Sequence, residues 1–304
     1  MDEVPDRRLI DPVPLRSLLF VPGHRDAWFA KAFASGADAV IFDLSDAVPA
    51  AELPTARRAV RAAIEEHGGK QSFFVRVSPA QSEDIVDDLD AVVRRGLTGV
   101  MLPLVTSPGD VKRVAERLDA LEPDRNLEAG STIIFPLVET ALAVRFAFEI
   151  ATSSGRIAYM GGATSRNGDI ARAIGYQWTP EGTETLTLRS WVLLNMRAAA
   201  VPYPVSAMWS IVDDLEGLRA FALQTRSLGY VGMMAIHPSH IPVINDVFTP
   251  TDQDVAHWRA VLEAMRSAQA SGVGAKRHLG EMIDEADAKT AIDMLEFAAR
   301  LGIT

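Results

Sequence analysis

Short apolar runs alternate with segments of helical spacing along the whole of this 304-residue chain. Eight such runs, rich in β-branched and aromatic residues, lie at residues 17–23, 38–44, 72–78, 98–105, 131–139, 156–162, 205–212 and 231–238. Helical spacing occurs between them, at residues 55–66, 82–95, 110–121, 183–200 and 213–228. A closed parallel barrel needs eight strand–helix repeats, whereas a doubly wound open sheet more often has fewer. The pattern therefore predicts the α/β class, with a TIM (β/α)8 barrel over residues 1–246.

The remaining residues, 247–304, follow a different pattern. Amphipathic helices are predicted over residues 251–269 and 286–301, with a glycine-containing loop at 270–280 between them. Helices beyond the eighth barrel unit must bury an apolar face, and packing on a neighbouring subunit is a common way to do so. We therefore predict a C-terminal helical extension over residues 247–304 and a homo-oligomer.

Composition limits the possible partners. The chain has no cysteine, which excludes disulfides, thiolate metal sites and cysteine nucleophiles, so that any metal must be held by oxygen or imidazole. A net charge of −10 disfavours nucleic-acid binding, which needs a surface rich in lysine and arginine. No apolar run approaches the roughly 18 residues of a transmembrane helix, and the N-terminal residues are too polar for a secretory signal. We predict a cytoplasmic protein that binds small molecules, without nucleic-acid or membrane partners.

Charged residues stand where several of the predicted strands end, and catalytic groups of such barrels lie at the carboxyl ends of the strands. They are Asp43 and Asp46 after the second strand, Arg76 on the third, Glu139 after the fifth and Asp169 after the sixth. Mg²⁺ takes one or two carboxylates and keeps several waters, which suits Glu139 and Asp169. The guanidinium of Arg76 can grip the carboxylate or carbonyl of a bound acid in a fork that lysine cannot imitate.

Each of these residues also has a purely structural interpretation. Glu139 and Asp169 can be the favourable negative charges at the starts of helices. Asp43 or Asp46 can belong to an Asx turn or a helix cap. Arg76 lies in an apolar strand, where an unpaired guanidinium is costly, so that a partner acid or a ligand is expected.

Seven segments occur in an order that resembles the citrate lyase β-subunit-like proteins of the HpcH/HpaI aldolase superfamily. They span residues 15 to 284 and read LRSLLFVPG, DAVIFDLSDAV, FFVRV, IIFPLVETA, GDIARAIG, GYVGMMAIHPSHIPVIN and GEMID. The resemblance implies a TIM barrel, Mg²⁺ held by Glu139 and Asp169, a substrate arginine at Arg76, and trimers or hexamers. It also implies that Asp284 of GEMID enters the site of a neighbouring subunit and acts as a base, although Asp284 can equally be a helix cap.

The activity that the resemblance implies is reversible carbon–carbon cleavage of a 3-hydroxyacyl-CoA of the citryl-, malyl- or citramalyl-CoA type. The products would be a 2-oxo acid and an acyl-CoA. Arg76 and the metal would bind the acid end, with Asp43, Asp46 and backbone amides near Gly168 contributing to substrate binding. Arg16 and Arg25, near the ends of the first strand, are candidates for contact with CoA phosphates.

The sequence departs from the family pattern at several positions. Ser45 stands in place of the glutamate of DLEDAV, Leu104 and Met233 replace two family lysines, and the loop at 161–169 is longer than the family's GAED. The aspartate of that loop is identified as Asp169 because its distance in sequence from Gly175 matches the family's. Two other functions stay open, a CoA-independent metal-dependent aldolase acting on 2-oxo acids and a non-catalytic family member.

Overall fold

The computed structural model describes residues 11–304 and contains a closed barrel of eight parallel strands in sequential order. The strands are β1 (Ser17–Pro22), β2 (Ala39–Asp43), β3 (Ser72–Arg76), β4 (Gly99–Leu102), β5 (Ile133–Val138), β6 (Tyr159–Gly162), β7 (Tyr203–Ser206) and β8 (Gly232–Ala235). The barrel closes where β8 pairs with β1. The predicted TIM barrel is confirmed, and each predicted strand overlaps an observed one.

Helices follow the strands and cover the outside of the barrel. They are α1 (Phe29–Phe33), α2 (Leu53–His67), α3 (Asp84–Val92), α4 (Pro108–Asp124), α5 (Ala141–Arg145), α6 (Ala147–Ala151), α7 (Asp169–Ile174), α8 (Thr183–Ala198), α9 (Leu215–Leu228) and α10 (His240–Phe248). The five helices predicted from spacing correspond to α2, α3, α4, α8 and α9. Helix α10, which was not among them, contains Pro242 in its first turn, a position where a helix tolerates proline. Within residues 11–304, no helix has the length and apolar character needed to cross a bilayer.

The alternation of side chains along the strands determines what faces the inside of the barrel. Phe74, Phe135 and Tyr159 pack against one another there, with ring centroids 5.6 to 6.0 Å apart. Every second residue of a strand faces the same side. Arg76, two positions beyond Phe74, and Glu139, four beyond Phe135, therefore face the barrel interior at its carboxyl end. This alternation explains why the apolar fifth strand is followed by a charge.

The seventh strand was predicted too far along the chain. It spans Tyr203–Ser206, not residues 205–212. Trp209, within the predicted run, lies in the following loop with 2% of its surface exposed, and packs against Phe221 and Trp178 at 5.6 and 5.1 Å between ring centroids. Trp209 is thus apolar because it is buried by these aromatic side chains, not because it pairs in the sheet.

Residues Thr249–Thr304 form a second compact unit, and the first ends at Phe248. The second unit contains α11 (Asp252–Ala270), β9 (Lys276–His278), β10 (Glu281–Ile283) and α12 (Glu285–Arg300). Helices α11 and α12 pack through a small apolar cluster that includes Met265 and Ala291. Both predicted helices are present, but the predicted loop at 270–280 is partly a hairpin, because β9 pairs antiparallel with β10.

Candidate functional site

Two cavities open at the carboxyl ends of the barrel strands. The first, here called the carboxylate cavity, has a volume of about 300 Å³ and contains Arg76, Glu139 and Asp169 in its lining. The second, the apolar cavity, has a volume of about 580 Å³ and lies over the ends of β1, β2 and β8. Phe20, Arg76 and Met208 line both cavities, so the two are adjacent.

Arg76 is held by two aspartates. Its Nε and Nη2 donate to Oδ1 and Oδ2 of Asp43 at 2.8 and 2.6 Å, and its Nη1 donates to Asp46 Oδ2 at 3.0 Å. Burial opposes the charged guanidinium, but the bonds to Asp43 outweigh this cost and raise the pKa of Arg76. Arg76 is therefore a fixed cation, and the sequence-based expectation of a partner acid is confirmed.

Asp43 positions Arg76, which differs from its predicted role in substrate binding. It is 2% exposed, and its two oxygens also accept from the amides of Ser45 and Ala47 at 2.9 and 3.2 Å. With both oxygens engaged in this turn and on Arg76, Asp43 has little capacity left for a ligand. Asp46, by contrast, is exposed and lines the carboxylate cavity.

Glu139 is a half-buried acid with an altered pKa. Its Oε1 accepts from the amide of Leu104 at 2.7 Å, and within residues 11–304 no donor reaches its Oε2. Burial raises the pKa of Glu139 to about 7, an effect that the Leu104 amide and Arg76 oppose and that the negative charges of Asp169 and Asp46 reinforce. Such a carboxylate favours a cation beside it.

The backbone is strained after β4 and after β6, the two strands that flank β5 and Glu139. Leu104, after β4, has φ of 50°, and Ala163, after β6, has φ of 67°. A positive φ of this kind costs about 1 to 3 kcal/mol for a residue other than glycine. Leu104 donates to Glu139, and Ala163 donates its amide to the Val138 carbonyl at 2.7 Å. The strained residues thus fix the position of the β5 carboxylate.

Asp169 is the first residue of α7 and lines the carboxylate cavity with Glu139. Its side chain is 29% exposed and accepts from Arg172 Nη2 at 2.5 Å, an arginine that is itself 81% exposed. The Gly168 amide donates to Ser165 Oγ at 2.9 Å, and its predicted use for a substrate carboxylate stays a prediction. The bond between Gly168 and Ser165 closes the loop that precedes α7.

The donor set fits Mg²⁺ better than a metal that needs an enclosing protein cage. No group of three or more histidine, aspartate or glutamate side chains among residues 11–304 could hold a metal ion. Glu139 and Asp169 provide two carboxylates on one cavity, and Mg²⁺ takes one or two carboxylates with waters and substrate oxygens completing its shell. Burial is the main cause of the raised pKa of Glu139, and the negative charge of Asp169 adds to it, so a cation between the two acids would relieve both effects.

Residues with apolar side chains, including Leu19, Val21 and Ile236, line most of the apolar cavity. Trp28, which is 55% exposed, and Lys31 stand in the same lining, and the Arg25 guanidinium lies 5.8 Å from the Trp28 ring centroid. A long ligand with an apolar arm and anionic groups fits these side chains.

Arg16, the other predicted contact for CoA phosphates, lies elsewhere. It precedes β1 and forms a bidentate pair with Asp38, with Nε and Nη2 at 2.9 and 2.6 Å from the two carboxylate oxygens. It therefore belongs to the amino-terminal side of the barrel, opposite to the cavities, where its pairing is structural.

Asp284 is the N-cap of α12 in the second compact unit. Its Oδ1 accepts from the Ala286 amide at 2.7 Å, and its own amide donates to Asp287 Oδ2 at 2.8 Å, which completes a capping box. The side chain is exposed. The capping interpretation is thus observed, and a catalytic role in a neighbouring subunit stays a prediction.

Of the three positions that depart from the family pattern, one lies outside both cavities and two contribute backbone amides to the site. Met233 is fully buried in the core between strands and helices, away from both cavities. The backbone amide of Leu104 donates to Glu139, and the backbone amide of Ser45 donates to Asp43.

Sequence reasoning missed Arg166, Trp178 and Met208. Arg166 lines the carboxylate cavity and lies over the Trp178 ring, 5.5 Å from its centroid. The signal for Arg166 was the extra length of the loop at 161–169. Met208 was included in the predicted seventh strand, which concealed its place on the barrel rim.

The chain is similar in sequence and in structure to known proteins. The family model HpcH/HpaI aldolase/citrate lyase matches residues 16–238. Citrate lyase subunit beta of Escherichia coli K12 is 34% identical over 270 residues, which is 88% of each chain. The L-malyl-CoA/beta-methylmalyl-CoA lyase of Cereibacter sphaeroides is 33% identical over 303 residues, covering 91% of this chain and 92% of its own.

A solved structure also matches almost the whole chain. It is the CitE protein of Mycobacterium tuberculosis in complex with magnesium, acetoacetate and coenzyme A, with a TM-score of 0.72 and 30% identity. The match covers 94% of this chain and 98% of that one.

Proposed function

The chain belongs to the HpcH/HpaI aldolase/citrate lyase family, and we propose that it is a magnesium-dependent carbon–carbon lyase acting on a 3-hydroxyacyl-CoA. The substrate is of the citryl-, malyl- or citramalyl-CoA type, and the products are a 2-oxo acid and an acyl-CoA. The observation that carries the proposal is the presence of Glu139, Asp169 and Arg76 on one cavity that adjoins a larger apolar one. The lyase names of relatives at 33 and 34% identity support it.

Glu139 and Asp169 would hold the metal, which when bound polarises the oxygen that becomes the 2-oxo carbonyl. Arg76 binds and orients the acid end of the substrate, since Asp43 and Asp46 fix its guanidinium and its pKa stays high. A fixed cation stabilises the developing charge without rearrangement during the reaction. Strained Leu104 and Ala163 keep Glu139 in place for the same purpose.

The apolar cavity would take the acyl-CoA. Its apolar walls suit the thioester arm, and Lys31 with the exposed ring of Trp28 suits phosphate and a base. The CoA bound to the Mycobacterium tuberculosis relative supports this assignment. Phe20 and Met208, which line both cavities, would then lie beside the carbon–carbon bond that breaks.

A base must remove the hydroxyl proton while the carbon–carbon bond breaks and the electron pair passes to the acyl-CoA as an enolate, which is then protonated. We propose Asp284 of a neighbouring subunit for this step. This requires the predicted trimer or hexamer, and the assembly and the cytoplasmic location both remain predictions.

The test is an assay with purified protein, Mg²⁺, a panel of 2-oxo acids and a panel of acyl-CoAs, in which condensation products are identified by mass. We expect a CoA-containing product that disappears with EDTA and in Glu139→Ala. Absence of product with every pair would contradict the proposal. Thermal unfolding of Glu139→Ala checks that its loss of activity is not a loss of fold.

A CoA-independent aldolase acting on 2-oxo acids is the second candidate, because Arg76, Glu139 and Asp169 all line the smaller cavity. Such an enzyme would release a product without CoA and would not retain CoA in the apolar cavity. Equilibrium binding of CoA separates the two functions. Calorimetry with Mg²⁺ and a 2-oxo acid identifies a non-catalytic member, which would bind the metal poorly.

A further inference from the structure

Arg166 is a second guanidinium on the carboxylate cavity, beside the cavity's acids. Arg76, the first guanidinium, is already held by Asp43 and Asp46. Among the ion pairs of residues 11–304, none involves Arg166, so its charge is available to a ligand.

The side chain of Arg166 is held by an aromatic stack. Its guanidinium lies 5.5 Å from the centroid of the half-buried Trp178 ring. Trp178 contacts the buried Trp209 edge-on at 5.1 Å, and Trp209 contacts Phe221 of α9 at 5.6 Å. Cations stacked on tryptophan keep their hydrogen-bond donors free at the edge of the guanidinium plane. The stack therefore holds the cation without consuming its donors.

The backbone on both sides of Arg166 is also fixed. The amide of Ser165 donates to the Tyr176 hydroxyl at 3.0 Å, and that hydroxyl donates to the Ser165 carbonyl at 2.7 Å. On the other side, the Gly168 amide donates to Ser165 Oγ at 2.9 Å. The loop is thus closed on itself, and Arg166 projects from a defined position.

We propose that Arg166 recognises a second carboxylate on the 2-oxo acid part of the substrate, so that the enzyme acts on 2-oxo dicarboxylates in preference to monocarboxylates. This inference rests on the proposed lyase function and names its substrate class. In the proposed enzyme Mg²⁺ would neutralise Glu139 and Asp169, and Arg76 is already paired with Asp43 and Asp46, so a second substrate carboxylate needs an additional cation. A guanidinium suits this task because it binds a carboxylate in two parallel hydrogen bonds.

The position of Arg166 also separates this role from recognition of CoA phosphates. Arg166 lines the carboxylate cavity, whereas Trp28 and Lys31, which suit the nucleotide, line the apolar one. An effect of Arg166 on the acid part and not on the acyl-CoA is therefore the specific expectation.

The test compares 2-oxo acids that differ only by a carboxylate in place of a methyl group, namely oxaloacetate against 2-oxobutanoate and 2-oxoglutarate against 2-oxopentanoate. For condensation with one acyl-CoA, we expect wild-type kcat/KM to favour a dicarboxylate in at least one pair. Arg166→Gln should reduce that preference by about ten- to a hundredfold, the usual effect of a charged hydrogen bond, mainly through the KM of the dicarboxylate. The monocarboxylate and acyl-CoA parameters should change little.

The matched control is Arg145→Gln. Arg145 is also exposed and stacked on an aromatic ring, 5.1 Å from the Phe146 centroid, but it lines neither cavity. This variant should keep the wild-type preference. Trp178→Leu, which removes the stacking ring and leaves the charge, should weaken the preference to an intermediate degree.

A second readout does not depend on turnover. In the presence of Mg²⁺ and without acyl-CoA, calorimetry should show tighter binding of the dicarboxylate to wild type than to Arg166→Gln, with equal binding of the monocarboxylate. The inference is overturned if wild type prefers monocarboxylates. It is also overturned if Arg166→Gln loses kcat/KM equally for both acids, or only through the acyl-CoA. In each of these cases the lyase function stands. Failure of every acid to react with any acyl-CoA instead overturns the lyase function itself.

Discussion

Arg76 and Asp43 form a bidentate pair at the end of two neighbouring strands, where they are register partners of β2 and β3. The side chains are 13% and 3% exposed, respectively. A fork of this kind cannot be reproduced by lysine, whose ammonium provides one compact charge. The pair links the stability of the barrel rim to the orientation of the proposed substrate arginine.

Arg76→Lys should therefore reduce both activity and stability. We expect kcat/KM to fall by about a hundredfold or more, since the guanidinium no longer binds the acid in a fixed geometry. The free energy of unfolding should fall by about 1 to 3 kcal/mol, because Asp43 loses one of two charged hydrogen bonds. Steady-state kinetics and urea unfolding measure the two effects.

Arg57→Lys is the control for the effect on stability. Arg57 pairs with Asp88 at 2.7 Å, and the two side chains are 11% and 0% exposed, but the pair lies on α2 and α3 outside both cavities. This variant should lose comparable stability and keep wild-type kinetics. Wild-type turnover in Arg76→Lys would contradict the bidentate role.

The raised pKa of Glu139 predicts how the stability of the metal-free protein depends on pH. The pKa of this carboxyl rises from 4.5 to about 7 on folding, so the folded state binds more protons than the unfolded state between these values. The contribution of this carboxyl to the free energy of unfolding is therefore complete below about pH 4.5. It is lost as the pH rises through 7, and the loss is on the order of 3 kcal/mol. Thermal unfolding in EDTA from pH 5 to 8 measures the loss.

Glu139→Gln provides the comparison, because it removes the titrating group and keeps the shape. The variant should lose less stability than wild type over the same pH range. Addition of Mg²⁺ at pH 8 should stabilise wild type and have little effect on the variant. An identical pH dependence in both proteins would show that Glu139 is not the group responsible.

Substitution of Asp169 tests whether this residue is a metal ligand or a charge that only stabilises a helix. We expect Asp169→Asn to weaken Mg²⁺ binding, measured by calorimetry with a 2-oxo acid present, by about tenfold or more. Asp252 occupies the corresponding first position of α11, and Asp252→Asn removes a comparable interaction with a helix dipole. Asp252→Asn should leave Mg²⁺ affinity unchanged, and equal effects of the two substitutions would argue for the helix role alone.

The sequence predicted the features that depend on local pattern. Alternation of apolar residues located the strands, and the charge after an apolar strand identified Glu139 as a residue of the barrel mouth. The buried arginine in FFVRV indicated its partner acid because an unpaired guanidinium is costly there.

Features that depend on contacts between distant segments were missed or misplaced. The end of β7 was placed too late because Trp209 is buried by Phe221, which lies outside the apolar run. The hairpin that contains β9 was missed because its strand residues are polar and exposed. The stacking of Arg166 on Trp178 joins two loops, and no spacing in the sequence encodes it.

Asp284 allows a test that separates its capping role from the proposed catalytic one. Asparagine caps helices about as well as aspartate, because its side-chain oxygen accepts the same amide hydrogen bond, here from Ala286. Asp284→Asn should therefore keep the thermal stability of wild type, whereas Asp284→Ala should lose about 1 kcal/mol from the missing cap. Both variants should lose turnover, since neither side chain can accept the hydroxyl proton at neutral pH.

Mixing variants tests whether Asp284 acts on a neighbouring subunit. Glu139→Ala lacks a proposed metal ligand and Asp284→Asn lacks the proposed base, so each is expected to be inactive alone. Unfolding the two proteins together and refolding them produces mixed oligomers, some of which combine an intact metal site of one subunit with an intact Asp284 of the next. Activity should then appear in the mixture and not in either variant refolded alone. A mixture without activity, when refolded wild type is active, would place the base within the same subunit, and full activity of Asp284→Asn would assign the side chain to the helix cap only.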